Sequence, residues 1–66
     1  MKISNILENS NISLYELSKQ TGVEYSTLHK YRRGVRNISV RNAKILGKYF
    51  GIDWWLFFEN ENERGD

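Results

Sequence analysis

The chain contains no cysteine and no proline. Without cysteine there is no disulfide framework and no thiolate metal site, which fits a reducing cytoplasm. Without proline, no helical pattern is interrupted by a missing amide N–H. Long apolar runs are lacking too, since none approaches the ~18 residues that a membrane span requires. The opening Met1-Lys2-Ile3-Ser4-Asn5-Ile6 puts a polar residue at every second or third position. That is wrong for the core of a signal peptide. A cytoplasmic protein with no membrane association is therefore expected. His29 stands alone, so no second His or Cys can complete a metal site. No nucleophile–base pair and no phosphate-binding loop is visible, and 66 residues leave little room for a cleft. The expectation is a protein with no cofactor and no metal that is not an enzyme.

Acid is missing from one long stretch. Between Glu24 and Asp53 there is none, while Lys30, Arg32, Arg33, Arg36, Arg41, Lys44 and Lys48 fall inside it. The net charge of +2 hides this asymmetry. Residues 1–58 carry nine Lys/Arg against four Asp/Glu, whereas residues 59–66 carry Arg64 against Glu59, Glu61, Glu63 and Asp66. Seven cations in 28 residues suit a polyanionic partner, the other reading being a solvated charged face. Length and composition give one small domain over residues 1–58 and an acidic, flexible tail over 59–66. A core of this size is marginal, so oligomerisation is expected.

The helical pattern is punctuated by caps. Ile3, Ile6 and Leu7 at i, i+3, i+4 place a first helix over about residues 2–9, broken by Asn9-Ser10-Asn11. Ser13 is an N-cap, with Glu16 three residues on completing a capping box, and a second helix runs from about Leu14 to Gln20. A third starts near Tyr25 and stops before Gly34. Ser39 caps a fourth from about Val40 to Phe50, closed by Gly51, with Val40, Ala43, Leu46, Gly47 and Phe50 facing inward. Asp53 caps a short fifth through about Glu59. No segment shows the sustained period-2 alternation of a strand, and there is no internal repeat.

Residues 13–34 carry the most information. Leu17, Ser18, Val23, Leu28 and Tyr31 fall where two short helices joined at Gly22 would face inward. Ser18 is small where the helices cross, and Gly22 sits where a reversing chain often needs positive φ. That is the layout of a helix-turn-helix, whose second helix enters the DNA major groove. With Ile12-Ser13, Glu16-Leu17-Ser18, Thr21-Gly22-Val23, Ser26-Thr27-Leu28, Tyr31 and Gly34, and with Leu46 to Asp53 followed by Trp54 and Phe57-Phe58, the chain resembles the lambda-repressor/Cro-like family over residues 3–58. The resemblance implies an all-α, compact five-helix domain with the helix-turn-helix formed by helices two and three. It also implies a cytoplasmic bacterial or phage DNA-binding protein, usually a dimeric repressor or small regulator. Three departures from the family pattern stand out. Leu14 stands where Gln often meets a phosphate, and Leu7 and Arg32 replace an Arg–Glu pair. Gly47 replaces a common Ala, at a helix-interior cost of ~1 kcal/mol that close packing would explain.

Carrying the family's base readers over position by position gives Glu24, Tyr25, Ser26 and Lys30. Chemistry agrees in part: Lys30 can donate to guanine O6 and N7, Glu24 can accept from cytosine N4, and Ser26 can do either. Tyr25 could pack on a thymine methyl or bond a phosphate. Each has a plainer reading: Glu24 favours the positive end of the third helix, Tyr25 covers the surface, and Ser26 caps locally. His29 is an exposed polar residue on the same side. Backbone contacts are expected from Arg33, Arg36 and Arg41, and from Ser13 with the free amides at the start of the second helix.

The C-terminal aromatic cluster is the other unusual feature. The core can use Phe50, Trp54, Phe57 and Phe58, which leaves Tyr49, Trp55 and Leu56 as surplus, with Ile45 one turn before Tyr49. Surplus apolar residues on one side suggest an interface, against irregular extra core packing as the alternative. Two functions follow. The first is a sequence-specific transcriptional regulator, a repressor that binds double-stranded DNA at a near-palindromic operator as a homodimer. The second is an antitoxin-type protein that holds a protein partner through its fifth helix and acidic tail while regulating its own operon.

Overall fold

Helix ends fall where the caps place them. The computed structural model describes residues 2–59, so the expected acidic tail lies outside the described residues from Asn60 onward. Four α-helices are present: α1 (Ile3–Asn9), α2 (Leu14–Thr21), α3 (Tyr25–Arg33) and α4 (Val40–Phe50). A short 3₁₀ helix (Trp54–Phe58) follows, and no strand occurs among the described residues. In α1, Ile3 and Leu7 point into the core one turn apart, and Ser10 Oγ donates to the Leu7 carbonyl at 3.1 Å. Ser13 Oγ accepts the Glu16 amide at 3.1 Å, and Ser39 Oγ accepts the Asn42 amide at 3.1 Å. Only this half of the expected capping box forms. The Glu16 carboxylate instead accepts from Gln20 Nε2 at 3.0 Å and lies 4.0 Å from Lys19 Nζ, drawn along the helix by partners three and four residues on.

The reversal between α2 and α3 is built from side chains as well as glycine. Gly22 sits at φ +80°, a conformation that residues with a Cβ rarely adopt. Its amide donates to the Ser18 carbonyl at 2.8 Å. Ser18 Oγ donates to the Val23 carbonyl at 2.7 Å, so this residue is a tie across the turn as well as a small contact. Thr21 Oγ1 donates to the Leu17 carbonyl and accepts the Val23 amide. The turn therefore leaves few backbone groups unmet.

Leu17, Leu28, Ala43 and Leu46 are completely buried and form the centre, with Tyr31 beside them. α3 packs against both α1 and α2, and α4 packs against the 3₁₀ helix and more lightly against α2. Asn42 Nδ2 donates to the Tyr31 hydroxyl at 2.9 Å, which fixes α4 to the end of α3. Leu14 is buried, so the departure from a phosphate-facing Gln adds a residue to the core.

Three expectations fail toward the C-terminus. Val40 is exposed, not inward. It shares a side of α4 with Gly47 but lies about 10 Å earlier along the helix, beyond the cover that Trp54 provides at Gly47. Asp53 stands at the N-cap position of the short fifth helix without the expected side-chain bond, and that helix forms as a 3₁₀ helix. Five residues are too few to sustain an α-helix, and the amides of Leu56 and Glu59 reach back three residues instead. This changes the faces. With three residues per turn, Trp54 and Phe57 align on the core side, and Trp55 and Phe58 align on the next. Phe58, expected in the core, is accordingly 47% exposed, while Phe57 is buried.

Gly47 lets the chain return against α4. A Cβ there would sit 2.5 Å from the Ile52 carbonyl oxygen and 3.3 Å from Trp54 Cα. Gly47→Ala should therefore destabilise the protein by about 1–2 kcal/mol, because overpacking against backbone outweighs the ~1 kcal/mol gain in helix propensity. Urea denaturation checks this, and a stabilised variant would contradict it.

Candidate nucleic-acid interface

The first turns of α3 lie on the surface. Leu28 and Tyr31 anchor its inner face, which leaves Tyr25, Ser26, Lys30 and Arg33 exposed and His29 half-buried. Glu24 is exposed at the N-cap position and makes no side-chain capping bond. The first helical amides of α3, from Tyr25 to Thr27, thus have neither a helical nor a capping partner. The Tyr25 and His29 rings lie 6.2 Å apart and tilted, so the tyrosine leans along its own helix face. Glu24, Tyr25, Ser26 and Lys30 lie within less than two turns of one another.

The expected backbone-contact residues are exposed as well. Ser13 stands at the start of α2, where its hydroxyl oxygen accepts the Glu16 amide and its proton remains available. Arg33 lies in the last turn of α3, Arg36 in the loop that follows, and Arg41 in the first turn of α4. None of Lys30, Arg33, Arg36 and Arg41 is ion-paired among the described residues. The acid-free window does not act as one surface, however. Lys44 Nζ lies 5.2 Å from the Trp54 ring centroid, a cation–π contact that ties it to the C-terminal aromatics. Lys48 lies near the end of α4 beside Gln20 and Tyr49.

One residue escaped the sequence reasoning. Tyr15, at the second position of α2, is 65% exposed, with Lys19 Nζ 5.5 Å from its ring centroid. It adjoins the free amides at the start of α2 and carries a hydroxyl that can donate to a phosphate. Its signal was available, because Leu14, Leu17 and Ser18 facing inward turn Tyr15 out.

A family model described as helix-turn-helix matches residues 3–54. The chain belongs to the Cro/C1-type helix-turn-helix family. No curated protein and no solved structure gives a match. Cro/C1-type members are DNA-binding transcriptional regulators and not an enzyme family, which assigns this chain to DNA-binding regulation. No helix among the described residues is long and apolar enough to cross a membrane.

Proposed function

We propose that this chain is a cytoplasmic, sequence-specific transcriptional repressor that binds a near-palindromic operator as a homodimer. One observation carries the reading: α3 has an exposed, uncapped start, and Arg33, Arg36 and Arg41, in its last turn and beyond it, are exposed and unpaired among the described residues. In this arrangement α3 enters the major groove. Lys30 donates to guanine, Glu24 accepts from cytosine, and Ser26 and Tyr25 complete the reading at the groove edge. Ser13, Arg33, Arg36 and Arg41 hold phosphates and set the register, with Tyr15 as a further donor. The dimer forms through Tyr49, Trp55 and Leu56, to which the 3₁₀ geometry adds Phe58. Exposed aromatics of this kind supply hot spots in interfaces.

Selection of bound sequences from a random DNA pool, followed by titration of two variants, tests this reading. Lys30→Ala should lose ~1–3 kcal/mol on the selected site and relax the base preference there. Arg41→Ala should weaken binding to all sequences about equally and flatten the salt dependence by about one unit of slope. Failure to enrich any sequence, or binding indifferent to salt, would overturn the reading.

A further inference from the structure

His29 is left without a role by the interface described above. By helix period it stands about 100° round from Leu28 and about 160° from Tyr31, the two buried residues of α3, and so faces away from the core. Ser26, Lys30 and Arg33 on that side are exposed, yet His29 is half-buried. The ring of Tyr25, one turn earlier, gives it cover. Residues four apart on a helix meet because side chains lean back toward its start. The two ring centroids lie 6.2 Å apart with the planes tilted by 38°, within the range of touching aromatic pairs. Neither the Tyr25 hydroxyl nor an imidazole nitrogen of His29 has a hydrogen-bond partner among the described residues. Contact with His29 covers part of the tyrosine, and 51% of Tyr25 remains exposed.

A surface tyrosine that enters a groove loses the freedom of its side-chain torsions, and that ordering weakens binding. A ring already resting against His29 has less freedom to lose. The chemistry of the exposed part then selects a base. The thymine 5-methyl is the apolar group that base pairs present in the major groove, where the other base edges present hydrogen-bond donors and acceptors. A phenol ring held without hydrogen bonds suits the methyl better than those edges.

We propose that His29 is a positioning residue for sequence reading: its imidazole holds the Tyr25 ring so that the ring packs on a thymine methyl. The operator accordingly requires thymine at one position of each half-site. His29 touches no base in this arrangement and acts through Tyr25. The inference rests on the DNA-binding reading for the groove, but the ring pair belongs to the free protein.

The test titrates the 66-residue chain and its His29→Ala, His29→Phe and Tyr25→Ala variants against the selected DNA site. Each thymine of one half-site is replaced in turn by uracil, which removes only the methyl. At one position the unmodified chain should lose about 4-fold in affinity, the worth of one buried methyl. His29→Ala and Tyr25→Ala should each bind the thymine site about 3–5-fold more weakly and respond less than twofold to that uracil. His29→Phe keeps a ring at the same place and should restore both the affinity and the response. Without DNA, NMR should show close contacts between the Tyr25 and His29 rings, and His29→Ala should move the Tyr25 ring signals while circular dichroism stays unchanged. A uracil response as large in His29→Ala as in the unmodified chain overturns the positioning role. His29→Phe behaving like His29→Ala means that the imidazole acts through its own hydrogen bonds, and also overturns it. DNA binding with no thymine methyl that matters overturns this inference alone, whereas a chain that enriches and binds no DNA overturns the DNA-binding reading with it.

Discussion

Trp55→Glu is expected to turn a dimer into a monomer and to lower affinity for a two-half-site operator by roughly 10²–10⁴-fold, the range set by lost bivalency. Trp55 is 51% exposed, so the substitution opens no cavity and should leave the helical content intact. Its ring meets Trp54 edge-to-face at 6.0 Å, and Trp54 meets Phe58 in the same way at 6.0 Å. Losing one such contact weakens the protein by about 0.5–1.5 kcal/mol, well short of unfolding it. In a dimer the same position would be covered, and a carboxylate placed there without a partner is strongly disfavoured. A two-fold pair sets its recognition helices about one DNA turn apart, ~34–36 Å, so each half-site alone binds far more weakly. Sedimentation, circular dichroism and titration against one and two half-sites measure the three effects. A protein that is monomeric at high concentration, and unchanged in DNA affinity by Trp55→Glu, would show that this face is not a self-association surface and would favour an unrelated protein partner, as in an antitoxin-type regulator.

Leu28→Ala is expected to lose about 2–5 kcal/mol of stability. Leu28 is completely buried at the middle of α3, where α1 and α2 both meet that helix. A chain of this length holds only ~3–10 kcal/mol in total. The variant should therefore be partly unfolded at room temperature, with a melting temperature lower by ~4–8 °C for each kcal/mol lost. DNA binding should fall in proportion to the unfolded fraction, because the same residue seats the recognition helix. Tyr25→Ala, on the exposed side of the helix, should change stability by no more than ~0.5 kcal/mol. Urea titration of both variants checks the contrast. A loss below about 1 kcal/mol for Leu28→Ala would place the core elsewhere.

Much of the candidate interface was legible before any coordinates. The inward set of Leu17, Val23, Leu28 and Tyr31 leaves only one side of α3 for Tyr25, Ser26, Lys30 and Arg33, and all four are exposed. Helix period is local and rigid, so fixing two residues inside fixes the rest outside. The same logic misled at Val40, because periodicity gives the direction of a side chain and not whether anything lies there to cover it. Charge was less legible than position. The acid-free window counted Lys44 with the arginines, yet Trp54, ten residues later, draws it toward the aromatics.

By itself, the sequence determined the helix boundaries, the left-handed turn at Gly22 and the exposed face of α3. Each depends on interactions within about four residues: a serine capping an amide, a glycine accepting positive φ, and the repeat of apolar positions. Only the tertiary structure decided the ending. Trp54 to Phe58 is too short for intrinsic propensity to choose between α and 3₁₀, so the choice rests on how the segment packs against α4, with the Trp54 backbone close to Gly47. That choice moved Phe58 from the core to the surface beside Trp55. It also left Arg36, Lys2 and Glu59, distant in the chain, around a single groove, because three separate chain segments meet there.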